Sequence, residues 1–308
     1  MGTYYNVIAV DHEGKLTDAD LRPGIENALK IVNAHLSNWD QNSEVSKFNA
    51  ARSTNEITVS KPLADILTAA RNVNAASDGQ FDITLGPIIE AWGFGASGEQ
   101  NSQPAASIID ENFKHVGQAK NLEITNHGVK KNDPETKIYL SGIGKGYGVD
   151  QVAQALRNAG LKDFMVEIGG DIYTSGKNAE GLAWQIGIER PLEGSKLPHK
   201  IAQVSNMGMA TSGDYRNYFM DEGKRYSHIF DAKTGRPVTH NTVSVTVLAE
   251  NAMLADAWAT GLLALGTERG LEISNQRDLA VLFIEKSAKS GEYEFITSTS
   301  DAFKKLQA

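Results

Sequence analysis

Apolar and polar positions recur along this chain with two different periods, and these divide it into strands and helices. Residues 4–10 alternate and are rich in β-formers, which predicts an opening strand ending at the polar turn Asp11-His12-Glu13-Gly14. The period then lengthens. Leu21, Ile25, Ala28, Leu29, Val32 and Leu36 make one stripe of a helix starting at Thr17, with Asp20 completing a variant capping box and Pro23 and Gly24 in early turns. A polar loop at 37–43 carries Trp39 in its middle, as a ring that either stacks on a planar ligand or caps a core edge. Ser60-Lys61-Pro62 opens a second helix with the stripe Leu63, Ile66, Leu67, Ala70 and Val73, ended by Asp78-Gly79. Segments 80–87 and 91–95 are dense in glycine and aromatics, a density that serves either close backbone approach to a ligand or tight turns. Residues 95–104 read as a mobile polar loop, and 107–112 as a short helix.

Ile138-Tyr139-Leu140 reads as a strand running into Ser141-Gly142-Ile143-Gly144-Lys145-Gly146, after which Val149, Val152, Ala153 and Leu156 predict a helix stopping at Gly160. Such a turn lets backbone amides meet a phosphate, or packs a helix tightly on a strand. It matches neither the P-loop nor the GxGxxG spacing. From Phe164 onward β pattern dominates, at 164–168, 172–175, 183–189, 201–205, 243–248, 279–285 and 293–297. With no repeat and no linker, the pattern predicts one α+β domain over 1–308: two intimately packed lobes, mixed or antiparallel sheets, flanking helices, and a site in the cleft between them.

The segment 252–263 is apolar or small on nearly every side, as in a helix buried round most of its circumference, yet Asp256 sits in its middle. Asp256 and Thr260 are four residues apart, so a carboxylate and a hydroxyl share one helical face. Hard oxygens on one face suit Mg²⁺, which fills its remaining positions with phosphate oxygens and water. A purely structural pair of hydrogen bonds is the alternative.

Composition narrows the chemistry. The formal net charge of -8, with no basic run, argues against nucleic acid as a main partner, so an anionic ligand must be held locally. There are no cysteines among the 308 residues, which excludes disulfides, zinc thiolates, iron–sulfur clusters and thiol catalysis. No window is long and apolar enough for a membrane-spanning helix.

Taken together, several stretches resemble the FAD:protein FMN transferases, the ApbE family, in that family's order and over nearly the whole chain. They are Met1-Gly2-Thr3, Phe81-Asp82-Ile83-Thr84-Leu85-Gly86-Pro87, Trp92-Gly93-Phe94-Gly95, Ser141-Gly142-Ile143-Gly144-Lys145-Gly146-Tyr147, Glu167-Ile168-Gly169-Gly170-Asp171, Thr211-Ser212-Gly213-Asp214-Tyr215, Ser227-His228 with Asp231, and Ala255-Asp256-Ala257-Trp258-Ala259-Thr260. The resemblance implies an enzyme that transfers the FMN half of FAD to a Thr or Ser hydroxyl of a target protein and releases AMP. Hydrolysis of FAD to FMN and AMP, or passive FAD binding, are the alternatives.

By the same resemblance Mg²⁺ is held by Asp256, Thr260 and the carbonyl of Gly142, and Asp256 and His228 are the catalytic pair, His228 as general base. Met1, Trp39, Gln80, Phe81, Asp82, Lys145 and Phe230 are placed around FAD, and Asp171 and Asp214 are either supporting contacts or turn caps. Lys145, Tyr139 and Ala259 stand where some relatives carry acidic residues. The resemblance also implies targets in membrane redox complexes, such as NADH:quinone reductase subunits. It further implies a periplasmic protein, lipid-anchored to the inner membrane in a full-length form with a leader beyond this chain, with a cytoplasmic location as the alternative.

Overall fold

The computed structural model describes every residue except Met1, 96–97, 99–101, 126–127, 193, 195–196, 216 and 288–294. Its centre is a seven-stranded sheet whose spatial order follows the chain: Tyr5–Val10, Asp163–Ile168, Asp171–Ser175, Met207–Gly213, Thr242–Ala249, Ala280–Lys286 and Phe295–Thr299. Every pairing in it is antiparallel, which resolves the expected mixed or antiparallel sheets in favour of the second. The connections between sheet neighbours range from the tight Gly169-Gly170 turn to the long segment between Val10 and Asp163, which carries most of the helices.

Both faces of this sheet are covered. Strand Thr242–Ala249 is buried at its first seven positions, so it reads as a continuous apolar and hydroxyl run rather than an alternation. On one face Val245, Val247, Val281 and Phe283 pack with the helices Lys61–Ala76 and Ala252–Leu265. On the other, Leu282 and Ile284 meet Trp184, Ile186 and Ile188 of a separate hairpin and Phe303 of the C-terminal helix Asp301–Leu306. The helices Asp18–Leu36 and Gly144–Asn158 cover the first strands through Ile25, Val149, Val152 and Phe164. A smaller aromatic cluster of Trp92, Phe219 and Phe230 with Ile88 stands apart from these.

Local signals explain the helix starts. Thr17 donates its backbone N–H and its hydroxyl to Asp20 Oδ2 at 2.8 and 2.6 Å. Ser60 accepts from Leu63 N, and Asp78 and Gly79 end that helix with positive φ of 53° and 81°. One expectation fails: residues 138–140 are extended but pair with no strand. Asparagine side chains take the place of a neighbour, Asn49 Nδ2 and Asn38 Nδ2 each donating to Ile138 O at 2.8 Å, and Leu140 N donating to Asn38 Oδ1 at 2.9 Å. Period alone cannot say whether an extended run finds a strand or a side chain. Five helices were not anticipated, Glu44–Ala50, Gly86–Ala91, Gln118–Asn121, Thr267–Gln276 and Asp301–Leu306; all are short, so their stripe is too brief to register. The loop expected at 95–104 and the start of the strand expected at 293–297 lie partly outside the described residues.

Candidate active site

The helix Ala252–Leu265 is the element on which the site is built. Asn251 Oδ1 accepts from Leu254 N at 2.8 Å, and Asp150, from the helix Gly144–Asn158, accepts Ala252 N and Met253 N at 2.9 Å each. Three of the orphan amides of its first turn are thereby satisfied. Two glycines permit this close junction. A Cβ at Gly146 would lie 2.2 Å from Ala252 O, and one at Gly208 would lie 2.3 Å from Ala252 N. The helix–helix approach in turn brings Lys145 and Gly146 against Asp256, one turn into the helix.

There the charges concentrate. Asp256 is buried, its Oδ2 accepts Gly146 N at 3.1 Å, and Lys145 Nζ lies 3.3 Å from its Oδ1. The same ammonium lies 3.0 Å from Oδ2 of Asp171, which follows a Gly169-Gly170 turn with φ of 56° and 96°. Burial pushes the Asp171 carboxyl well above its usual range, and the neighbouring Asp256 adds to the rise. Burial opposes the charge on Lys145, but the two carboxylates outweigh it and hold its pKa above the ordinary ammonium value. Two buried carboxyl groups thus converge on one ammonium. Thr260 lies one turn further along, its hydroxyl 3.3 Å from Ser212 Oγ, and Gly142 packs so closely that a Cβ there would meet Thr260 Oγ1 at 3.0 Å.

Asp256, Thr260, Gly142 and Lys145 all line one cavity of about 480 Å³, as do Gln80, Phe81, Asp82, His228 and Phe230. A second cleft of about 220 Å³ shares Ile89, Tyr139, Ser141 and Lys145 with it and is lined by Trp39, which is 69 % exposed. Trp39 therefore belongs to the neighbouring cleft and caps no core edge. Met1 lies outside the described residues. The ten described site residues singled out from the sequence thus fall around two adjoining hollows.

The wall residues are tied into the fold. Gln80 donates from Nε2 to Asp231 Oδ1 at 2.8 Å and accepts Ala232 N at 2.9 Å, holding the turn that carries Phe230. Asp82 accepts Thr84 N at 2.7 Å, Gln118 N at 2.9 Å and the Thr84 hydroxyl, and burial raises its carboxyl above the usual range. Its carboxylate is thus occupied by partners of its own fold. Phe81 and Phe230 are buried. Tyr139 donates its hydroxyl to Glu90 Oε1 at 2.9 Å and lies flat against Gly86, where a Cβ would fall 1.9 Å from the ring.

His228 is half-buried, with Nδ1 2.9 Å from Asn217 O. A carbonyl fixes Nδ1 as the donor, so Nε2 keeps its lone pair. Burial lowers the imidazole pKa below its ordinary 6.5, which makes the ring neutral near pH 7. Arg225 donates to Asp214 Oδ2 at 2.6 Å and covers the Tyr218 ring at 4.3 Å, bracing the loop that supplies Asn217.

Sequence reasoning missed Asp150. Its signal was there, since Asp150 falls four residues after Gly146 inside the apolar stripe continued by Ala153. Among the described residues no group of three or more His, Cys, Asp or Glu side chains is arranged to hold a metal. A cation here would rest on one or two carboxylates with a hydroxyl, a carbonyl and the oxygens of a ligand. That set of hard oxygen donors fits a hard divalent ion.

A model of the ApbE family matches residues 1–283. The FAD:protein FMN transferase of Haemophilus influenzae is 41% identical over 99% of this chain and 89% of its own length, and that of Escherichia coli is 35% identical over 99% and 86%. Among solved structures, the flavin transferase ApbE from Vibrio cholerae superposes with a TM-score of 0.91 at 36% identity, covering 99% of this chain and 96% of that one. The apo flavinyl transferase ApbE of Pseudomonas stutzeri gives 0.88 at 32%, over 98% and 93%. With an α+β fold shared over almost its full length, the chain belongs to the ApbE family.

Proposed function

We propose that this protein transfers the FMN moiety of FAD to a Thr or Ser hydroxyl of a target protein, in a Mg²⁺-dependent reaction. The acceptor oxygen forms a bond to the FMN-side phosphorus, the pyrophosphate bond breaks, and AMP leaves with the bridging oxygen. The observation that carries this reading is the buried floor of the cavity, where Asp256, Asp171 and Lys145 meet beside Thr260 and Gly142. Two hollows joined at Lys145 and Tyr139 suit a ligand of two ring systems linked by phosphates.

Asp256, Thr260 and the Gly142 carbonyl are the residues that would hold Mg²⁺. When bound, it would neutralise the pyrophosphate and the charge that develops on the departing AMP. Lys145 adds a fixed positive charge at the junction of the hollows. His228, neutral and with its lone pair on Nε2, accepts the proton of the incoming hydroxyl. Gln80, Asp82 and Phe230 act as a rigid wall and present backbone edges to the flavin or adenine. The targets fall among subunits of membrane redox complexes, such as NADH:quinone reductases. We place the protein in the periplasm at the membrane surface.

The test is to incubate the protein with FAD, Mg²⁺ and an acceptor domain carrying a candidate Thr motif, then record the acceptor's intact mass and its fluorescence after denaturation. A mass gain equal to FMN minus water, dependent on Mg²⁺, is the expected result. Free FMN and AMP with unmodified acceptor would assign hydrolysis instead, and intact FAD throughout would reduce the protein to a binding module.

A further inference from the structure

Lys145 is placed where a bound cation would sit. Its ammonium lies 3.3 and 3.4 Å from the two oxygens of Asp256, and closer, at 3.0 Å, to Asp171 Oδ2. The two carboxylates are held differently. Asp256 Oδ2 is pinned by the backbone N–H of Gly146, whereas Asp171 Oδ2 is buried and has no hydrogen bond in line, the lysine being within ion-pair reach only. Asp256 is therefore fixed and Asp171 retains acceptor capacity. Lys145 is the adaptable member, a point charge on four methylenes whose side chain is 34% exposed on the cavity side.

We propose that Lys145 is the resident cation of this floor, shared between Asp256 and Asp171, and that Asp171 is a positioning residue that receives the ammonium when a divalent cation takes Asp256. This rests on the reading of Asp256 as a metal ligand. Without Asp171, a metal entering at Asp256 leaves a partly buried ammonium beside the metal with no counter-charge, which is unfavourable. With Asp171, the exchange keeps both cations paired. The metal-free site is likewise stable, because two buried carboxylates are never left facing each other alone.

The test uses Mn²⁺ as the probe, with free Mn²⁺ followed by electron paramagnetic resonance on the full chain, and far-UV circular dichroism to verify folding. Asp171→Asn is expected to weaken Mn²⁺ binding by about tenfold or more, because Lys145 then competes for Asp256 undivided. Lys145→Met is expected to tighten it, and also to lower the metal-free melting temperature, with a larger recovery on adding Mn²⁺ than the wild type shows. The double variant, Asp171→Asn with Lys145→Met, is expected to regain affinity relative to Asp171→Asn, an outcome that a merely structural role for Asp171 does not produce. Wild-type affinity in Asp171→Asn, weaker binding in Lys145→Met, or no rescue in the double variant overturns the proposal while leaving the metal site standing. A flat titration in the wild type removes the metal reading itself and the proposal with it.

Discussion

The wall and the floor of the cavity use the same residue types to opposite ends. On the wall, Asp82 accepts three donors and Gln80 spends both ends of its amide on the turn at Asp231 and Ala232. On the floor, Asp171 keeps a buried oxygen with no hydrogen bond, and Asp171 and Asp256 share one lysine. A saturated carboxylate is part of the scaffold, since its hydrogen bonds are lost if a ligand draws it away. An under-satisfied one is held ready by the surrounding fold, and it is there that a cation gains most.

The comparison breaks most sharply at Asp256. Asp256→Ala should abolish Mg²⁺-dependent transfer while the protein melts close to wild type, as followed by acceptor mass and by circular dichroism; full-rate transfer would return this carboxylate to the scaffold class. His228→Ala should leave FAD binding intact and slow transfer by about 10²–10⁴-fold, the usual loss with a general base. In the wild type the rate should rise with pH as the imidazole loses its proton and level off by neutrality. Its midpoint should lie below 6.5, because burial depresses this pKa and the base is the neutral form. A midpoint well above that value would name another group.

On the wall the effects should fall on stability. Asp82→Ala leaves the amides of Thr84 and Gln118 without their acceptor, at about 1–3 kcal/mol for each one left dry, read as a shift in the urea midpoint. Asp150→Ala removes a helix cap supplied from a neighbouring helix and should cost about 1 kcal/mol in the same assay. Burial pushes the Asp150 carboxyl up to about 6, against the two amides that favour its charge. A raised carboxyl pKa means the folded protein holds this proton more tightly than the unfolded chain. Its contribution is therefore greatest below the ordinary 3.8 and declines as pH rises toward 6, so the deficit of Asp150→Ala should narrow over that interval.

Local pattern along the chain is enough to define the long elements and the chemistry of the floor. The stripe from Leu21 to Leu36, the cap at Ser60 and the buried helix carrying Asp256 and Thr260 are local patterns, and each was legible because hydrogen bonds and side-chain period within a helix depend on near neighbours in the chain. Family resemblance added the grouping of distant motifs, such as the Lys145 turn with the Asp256 helix. Packing alone settles which polar groups are already spent. Residues 138–140 look like a strand until Asn38 and Asn49 occupy their hydrogen bonds. Asp82 looks as available as Asp256 until Gln118 reaches it from 36 residues away. Lys145 stands between two carboxylates because Gly146 and Gly208 let a backbone approach that no local pattern encodes. A residue's chemistry is written in its side chain, but its availability depends on partners that only packing brings within reach.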